Sequence, residues 1–251
     1  MLTIRSEQLR ALGRVAAEGF EDRMVEHAAA FAPRLFLLRG PVPMRRLVRQ
    51  GIERARLHGF DLRGPVRFWI EMMMAHGSLW HDDPQLACVH RHLARSDLQQ
   101  NFRADLVYES LLEYVEHVEG PDKVQARGAL QGISAADWSE LLKPAADPSA
   151  RARALLQTLN PTKVDVVGDD AIQRVVAAAG QACRLLSIDP AEGQVLLSGL
   201  MFGFGHGVLE DPLYPWVAST LRPGPSGTLR CRRLARKTRV YVRAVLAHWA
   251  V

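Results

Sequence analysis

The chain repeats itself. Sliding the sequence along itself by 128 residues pairs Arg46 with Arg174, Val48 with Val176, Arg56 with Arg184, Leu57 with Leu185 and Asp61 with Asp189 without a gap. The same offset continues through Met73 with Met201, Gly77 with Gly205, Asp83 with Asp211, Pro84 with Pro212, Val89 with Val217 and Leu93 with Leu221. It also reaches back to Pro33 with Pro161. One constant offset over that length, with apolar positions matching between the identities, marks a duplicated supersecondary unit. The expected organisation is a first repeat at 1–120, a short join at 121–132 and a second repeat at 133–251. Glu119-Gly120-Pro121-Asp122-Lys123 carries the helix-ending glycine and proline that such a join needs. Ser134-Ala-Ala-Asp137 reads as a capping box opening the first helix of the second repeat, where Ser6-Glu7 opens the first helix of the first.

Within a unit the pattern is helical. Met44, Leu47, Val48, Ile52 and Ala55 recur at helical spacing, as do Val66, Trp69, Ile70 and Met73, with Pro65 suited to a first helical position and Gly59 to a helix end. The stretch from Asp105 to Glu119 carries an apolar stripe of Val107, Leu111, Tyr114, Val115 and Val118. Its counterpart from Leu229 to Trp249 carries Leu234, Thr238, Tyr241, Val242, Val245 and Trp249. No alternating run or Asn-Gly hairpin is present. The expected fold is all-α, a tandem duplication of a helical-bundle unit with a pseudo-two-fold relation.

With 48% hydrophobic residues the chain can bury a sizeable core, which excludes a disordered or collagen-like reading. Cys88, Cys183 and Cys231 are odd in number and widely spaced, so neither a disulfide scaffold nor a Cys-x-x-Cys site is indicated. The N-terminal MLTIRSEQLR lacks the apolar stretch of a secretory signal. The most apolar run, Val195 to Leu209, is too short to span about 30 Å of hydrocarbon. A cytoplasmic protein without membrane association is expected.

The densest collection of chemically able side chains is His76-Gly77-Ser78-Leu79-Trp80-His81-Asp82-Asp83-Pro84 with Cys88, His90 and His92. Imidazoles, carboxylates and a thiol can hold a transition metal. Here no pair has the spacing that sets two ligands on one helical face, and the second repeat has Phe204, Leu209, Ala218 and Thr220 at the four histidine positions. Only Gly77, Asp83 and Pro84 recur, as Gly205, Asp211 and Pro212. These six read as a structural loop, a glycine ending one helix and Asp-Pro starting the next. Gly199 to Gly207 is glycine-rich but lacks the Gly-Lys-Ser/Thr ending and a preceding strand of a phosphate loop. No Gly-x-Ser-x-Gly elbow is present, and Asp82-Asp83 and Asp169-Asp170 sit beside turns as caps. No catalytic, cofactor or metal residue is therefore assigned, and a non-enzyme is expected. A metal- or thiol-dependent enzyme built on the first-half His/Cys cluster is the alternative.

Charge separates the repeats. The net +5 divides into +1 for residues 1–128 and +4 for 129–251. Arg222, Arg230, Arg232, Arg233, Arg236, Lys237, Arg239 and Arg243 run to the C-terminus without an acid, whereas the duplicate segment carries Asp105, Glu109, Glu113, Glu116 and Glu119. At the repeat offset Asp105 takes the position of Arg233, and Glu109 that of Lys237. Two equivalent helices of opposite sign can pair with each other, steer a protein partner, or contact phosphate through the basic one alone. Arg230, Arg232, Arg233, Arg236, Lys237 and Arg239 are accordingly partner-binding candidates on one helix. Asp105, Glu109, Glu113 and Glu116 are the candidates on the other. Nucleic-acid binding is the weaker reading, because no helix-turn-helix signature or aromatic platform accompanies the basic helix.

Ile4-Arg5-Ser6-Glu7-Gln8-Leu9, Phe20-Glu21-Asp22-Arg23-Met24-Val25-Glu26-His27, Leu47-Val48-Arg49-Gln50-Gly51-Ile52-Glu53-Arg54-Ala55 and the Gly77–Pro84 loop together resemble a family of small uncharacterised bacterial proteins encoded near type VI secretion effectors. The resemblance covers residues 4–95. The second repeat can match Arg151 to Arg23 but lacks the Phe-Glu-Asp lead-in. No catalytic residues come with this family. What the resemblance implies is an effector-associated adaptor or chaperone, or an immunity protein, whose partner is a secreted effector or its carrier.

Overall fold

The computed structural model describes residues 6–249, and side chains from Gly19 to Trp249. Ile4 and Arg5 of the N-terminal motif lie outside the described residues. Among the described residues every regular element is a helix, fourteen α-helices with three short 3-10 turns between them. Contacts group the chain into two compact units, Met1–Ala75 and His76–Val251, a cut that falls near the end of a helix and not at the 121–132 join.

The first unit contains α1 (Ser6–Phe31), α2 (Pro33–Arg39), α3 (Pro41–Leu57) and most of α4 (Arg63–His76). Pro33 and Pro41 begin their helices, where no backbone amide hydrogen is needed, and Gly40 at φ 77° turns the chain between them. α3 buries Met44, Leu47, Val48, Gly51 and Ala55 along one stripe. Gly51 has no side chain because α4 leaves no room for one. A Cβ there would lie 2.5 Å from Ile70 Cγ1 and 3.0 Å from Met73 Sδ. The opposite side of α3 is tied to α1 by charge. Arg45 Nη1 donates to Glu21 Oε1 at 2.8 Å and to Asp22 Oδ1 at 2.6 Å, and Arg49 Nε donates to Glu21 Oε2 at 2.8 Å. The hydrogen bond from Arg49, helped by Arg45, holds the Glu21 carboxyl below its ordinary value. At the 128-residue offset the corresponding residues are Ser149, Ala150, Gln173 and Ala177, so both acids and both bases are absent there.

The second unit continues with α5 (Ala87–Leu93), α6 (Gln100–Glu119), α7 (Val124–Ala135), α8 (Trp138–Leu141), α9 (Pro148–Leu159) and α10 (Pro161–Val167). It is completed by α11 (Asp169–Leu185), α12 (Pro190–Phe204), α13 (Pro215–Leu221) and α14 (Gly227–Ala247). α12 is the centre: nearly every residue from Gly193 to Phe204 is buried, against α9, α11 and α14. The apolar run from Val195 to Leu209 belongs to this core helix as far as Phe204, and its last five residues lie in the loop beyond. Among the described residues no helix is long and apolar enough to cross a membrane. Close packing again rests on a missing side chain, since a Cβ on Gly193 would lie 2.6 Å from Ile188 Cγ2 and 3.0 Å from Cys183 Sγ.

Helix bounds recur at the repeat offset. α2 and α10, α3 and α11, and α5 and α13 begin and end 128 residues apart, and α6 and α14 end at Glu119 and Ala247. The turn after α3 has Phe60 N donating to Ala55 O at 2.8 Å, and the turn after α11 has Ile188 N donating to Cys183 O at 2.8 Å. Gly59 at φ 73° is matched there by Ser187 at φ 52°.

Several boundaries differ from those expected. Ser134 opens no helix; it lies in the last turn of α7, and Asp137 caps α8 instead by accepting from Ser139 N and Glu140 N. The 121–132 join is helical from Val124 onward because Gly120, Asp122 and Lys123, all at positive φ, complete the turn within four residues. Pro65 is the third residue of α4, not the first. Asp83-Pro84 starts a 3-10 turn, Pro84–Leu86, with α5 following at Ala87, and α13 likewise begins at Pro215, beyond Asp211-Pro212.

Gly51→Ala should lower stability by about 1–3 kcal/mol through overpacking against Ile70 and Met73. Gly128→Ala, at an exposed helical position with open space around it, should raise stability by about 0.5–1 kcal/mol. Urea denaturation of both variants measures the contrast.

Candidate functional site

The loops after α4 and α12 meet inside the second unit. Gly77 and Gly205 adopt φ 94° and 90°, a region that side chains rarely enter. A Cβ on Gly77 would lie 2.9 Å from Phe204 O, and one on Gly205 would lie 2.7 Å from His76 O. The two backbones therefore touch, and only glycine fits on either side. Asp83 Oδ1 accepts from Gln85 N at 2.9 Å while its Oδ2 accepts from His206 N at 2.9 Å. Asp211 Oδ1 accepts from Leu213 N at 2.8 Å while its Oδ2 accepts from Ser78 N at 2.6 Å. Each carboxylate thus fastens its own turn with one oxygen and the opposite loop with the other. Pro84 and Pro212 follow the two aspartates.

Asp83 and Asp211 are 2% and 3% exposed, so these carboxylates have no water to fall back on. Burial alone would push the Asp83 carboxyl up, but donation from His206 and Gln85 outweighs it and holds the group below its ordinary value. Gln85 reinforces the junction by donating from Nε2 to Met201 O at 3.1 Å.

Beside the crossing lies a polar group that sequence reasoning did not assemble. Lys163 Nζ donates to Phe202 O at 2.6 Å and sits 4.5 Å from the centroid of the Phe202 ring. Burial pushes its pKa down to about 8, against the pull of Asp83 and Glu119. Burial, with a smaller contribution from Lys163, pushes His76 down to about 4 and keeps it neutral near pH 7. Tyr114 meets His76 edge-on with ring centroids 6.4 Å apart, and burial drives its phenol upward. At the 128-residue offset the corresponding residues are Leu35, Phe204 and Val242, so at each position a polar residue in one half stands against an apolar one in the other. Their signal in sequence was this departure from the repeat.

The remaining members of the His/Cys collection are dispersed around α5. His81 is buried with Nε2 3.3 Å from Asp82 Oδ2, and His92 Nε2 accepts from Arg91 Nε at 3.1 Å. Burial raises the Cys88 thiol, which makes it a poorer nucleophile. Among the described residues no group of three or more His, Cys, Asp or Glu side chains is arranged to hold a metal ion.

The charged helices α6 and α14 also belong to the second unit. Asp105, Glu109, Glu113 and Glu116 are all exposed, as are Arg232, Arg233, Arg236 and Lys237. Arg230 is not available to a partner. It is 3% exposed and donates from Nη1 to Leu221 O at 2.9 Å and from Nη2 to Ser187 O at 2.8 Å. Arg239 is half-buried and donates to Ala136 O at 2.8 Å, and Lys237 Nζ reaches Thr220 Oγ1 at 2.8 Å. Among the described residues no ion pair joins an acid of α6 to a base of α14. The acidic face is also apolar, because Phe102, Tyr108 and Leu112 are about half exposed among its carboxylates.

Asp83→Ala and Asp211→Ala should each cost about 1–3 kcal/mol by stranding buried amides. The double variant should cost less than the two together, because both act on one junction. The Asp83 carboxyl titrates lower when folded than when unfolded. Its stabilisation is therefore present above pH 3.8 and lost as the pH falls below that value, and Asp83→Asn should flatten this acid limb in denaturation curves. The chain matches no protein family, no curated protein and no solved structure.

Proposed function

We propose that the protein is a non-catalytic, cytoplasmic protein-binding module, built by tandem duplication of one helical unit with a pseudo-two-fold relation between the copies. Coincident helix bounds and the reciprocal bonds of Asp83 and Asp211 support the duplication. The binding surface is the exposed face of α6 together with that of α14. The observation that carries this reading is the mixed character of the α6 face. Exposed Phe102, Tyr108 and Leu112 stand among Asp105, Glu109, Glu113 and Glu116. Exposed aromatic residues ringed by charge are the usual anchors of protein interfaces, while a merely solvated face has no use for them.

The resemblance of residues 4–95 to proteins encoded near type VI secretion effectors supplies the setting. There the module serves as an effector-associated adaptor or chaperone, or as an immunity protein. Its partner, a secreted effector or its carrier, presents a basic segment to α6. Electrostatic attraction speeds the encounter and the apolar anchors hold the complex.

Co-expression with the products of neighbouring genes tests the reading. Retention of one of them, with binding weakened about tenfold or more by Phe102→Ala, is the expected result. Retention of none of them overturns it. Because Phe102 is 54% exposed, the variant should melt with the unmodified protein.

A further inference from the structure

α14 carries a face of the same form as α6 and the opposite charge. Leu229, Arg232, Arg233, Arg236, Val240 and Arg243 lie along one side of the helix, with Leu229 41% and Val240 66% exposed. On α6 the corresponding row is Phe102, Asp105, Glu109, Leu112, Glu113 and Glu116. Each row spans fourteen residue steps, about 21 Å of helix. Leu112 and Val240 stand at the same position of the repeat, each an exposed apolar residue amid like charges. A row of like charges along one helix is self-repelling, and neither row is neutralised by the other among the described residues.

We propose that the face of α6 on one copy docks on the face of α14 on a second copy. This rests on the reading of these faces as docking surfaces and names the chain itself as a partner. The contact is antiparallel. That direction sets Glu113 and Glu116, near the C-terminal end of α6, against Arg232 and Arg233, near the start of α14, and opposes the two helix dipoles favourably. Leu112 and Val240 then lie on opposite sides of the middle of the contact, each against the charged row of the other helix.

Sedimentation velocity of the full chain tests the proposal with two variants. One carries Glu109→Lys, Glu113→Lys and Glu116→Lys, so both its faces are basic; the other carries Arg232→Glu, Arg233→Glu and Arg236→Glu, so both are acidic. The unmodified protein should associate reversibly at submillimolar concentration in about 0.02 M salt and dissociate in about 1 M salt, where charges are screened beyond 3 Å. Each variant alone should be monomeric, its dissociation constant raised tenfold or more. Mixed in equal amounts they should associate again, since one supplies a basic α14 and the other an acidic α6. Circular dichroism confirms that both variants are folded, as is expected of substitutions at exposed positions. A monomeric unmodified protein, association unaffected by either reversal, or a mixture that stays monomeric each overturns the proposal. A monomeric protein that still retains a neighbouring gene product through Phe102 would refute self-docking and leave the binding reading standing.

Discussion

Two buried carboxylates organise the centre of the second unit. An aspartate withdrawn from water is costly unless each oxygen finds a donor, and backbone amides at turns are donors with nothing better to do. Asp83 and Asp211 satisfy both needs at once, each dividing its oxygens between its own turn and the opposite loop. The arrangement works only if the loops touch, which is why Gly77 and Gly205 stand where a single added carbon would collide with a carbonyl. Helices α5 and α13 take their starting points from these turns. The long helices α6 and α14 follow a few residues on, so the placement of the charged faces descends from the same crossing.

Much of this was legible in the residues. The helical period and the glycine and proline signals at Gly59 and at Gly120-Pro121 locate the ends of α3 and α6 closely. The recurrence of Gly77, Asp83 and Pro84 marked the loop as structural. A local capping rule, however, gives an aspartate one partner, the turn that follows it. The second oxygen bonds across a sequence separation of more than a hundred residues, and no local pattern encodes that distance. Ser134 failed for the converse reason: a capping box is a local preference, and the helix already running from Val124 passes through it. Charge groups Arg230 with its neighbours, yet it lies on the buried side of α14 while Arg232, Arg233, Arg236 and Lys237 are exposed. Its bonds to the Leu221 and Ser187 carbonyls explain the inward turn.

The His76, Tyr114 and Lys163 group shows how burial alone changes the chemistry of ordinary side chains. The imidazole is neutral, the phenol stays protonated, and the lysine gives up its proton more easily than a solvated one. At the 128-residue offset His76 corresponds to Phe204, which packs instead in an aromatic group with Tyr214 and Tyr241. Similar backbones have thus been filled with different interiors.

Phe102 and Arg230 occupy one position of the repeat, 128 residues apart, and their fates are opposite. The arginine is drawn inward, where it donates to Leu221 O at the end of α13 and to Ser187 O in the turn after α11, while the phenylalanine is left 54% exposed on α6. The two positions correspond at the 128-residue offset but not in duty: one side chain holds two carbonyls and the other meets solvent. A guanidinium is thus spent inside the molecule, and a phenyl ring, the less water-loving of the two groups, stands at the surface.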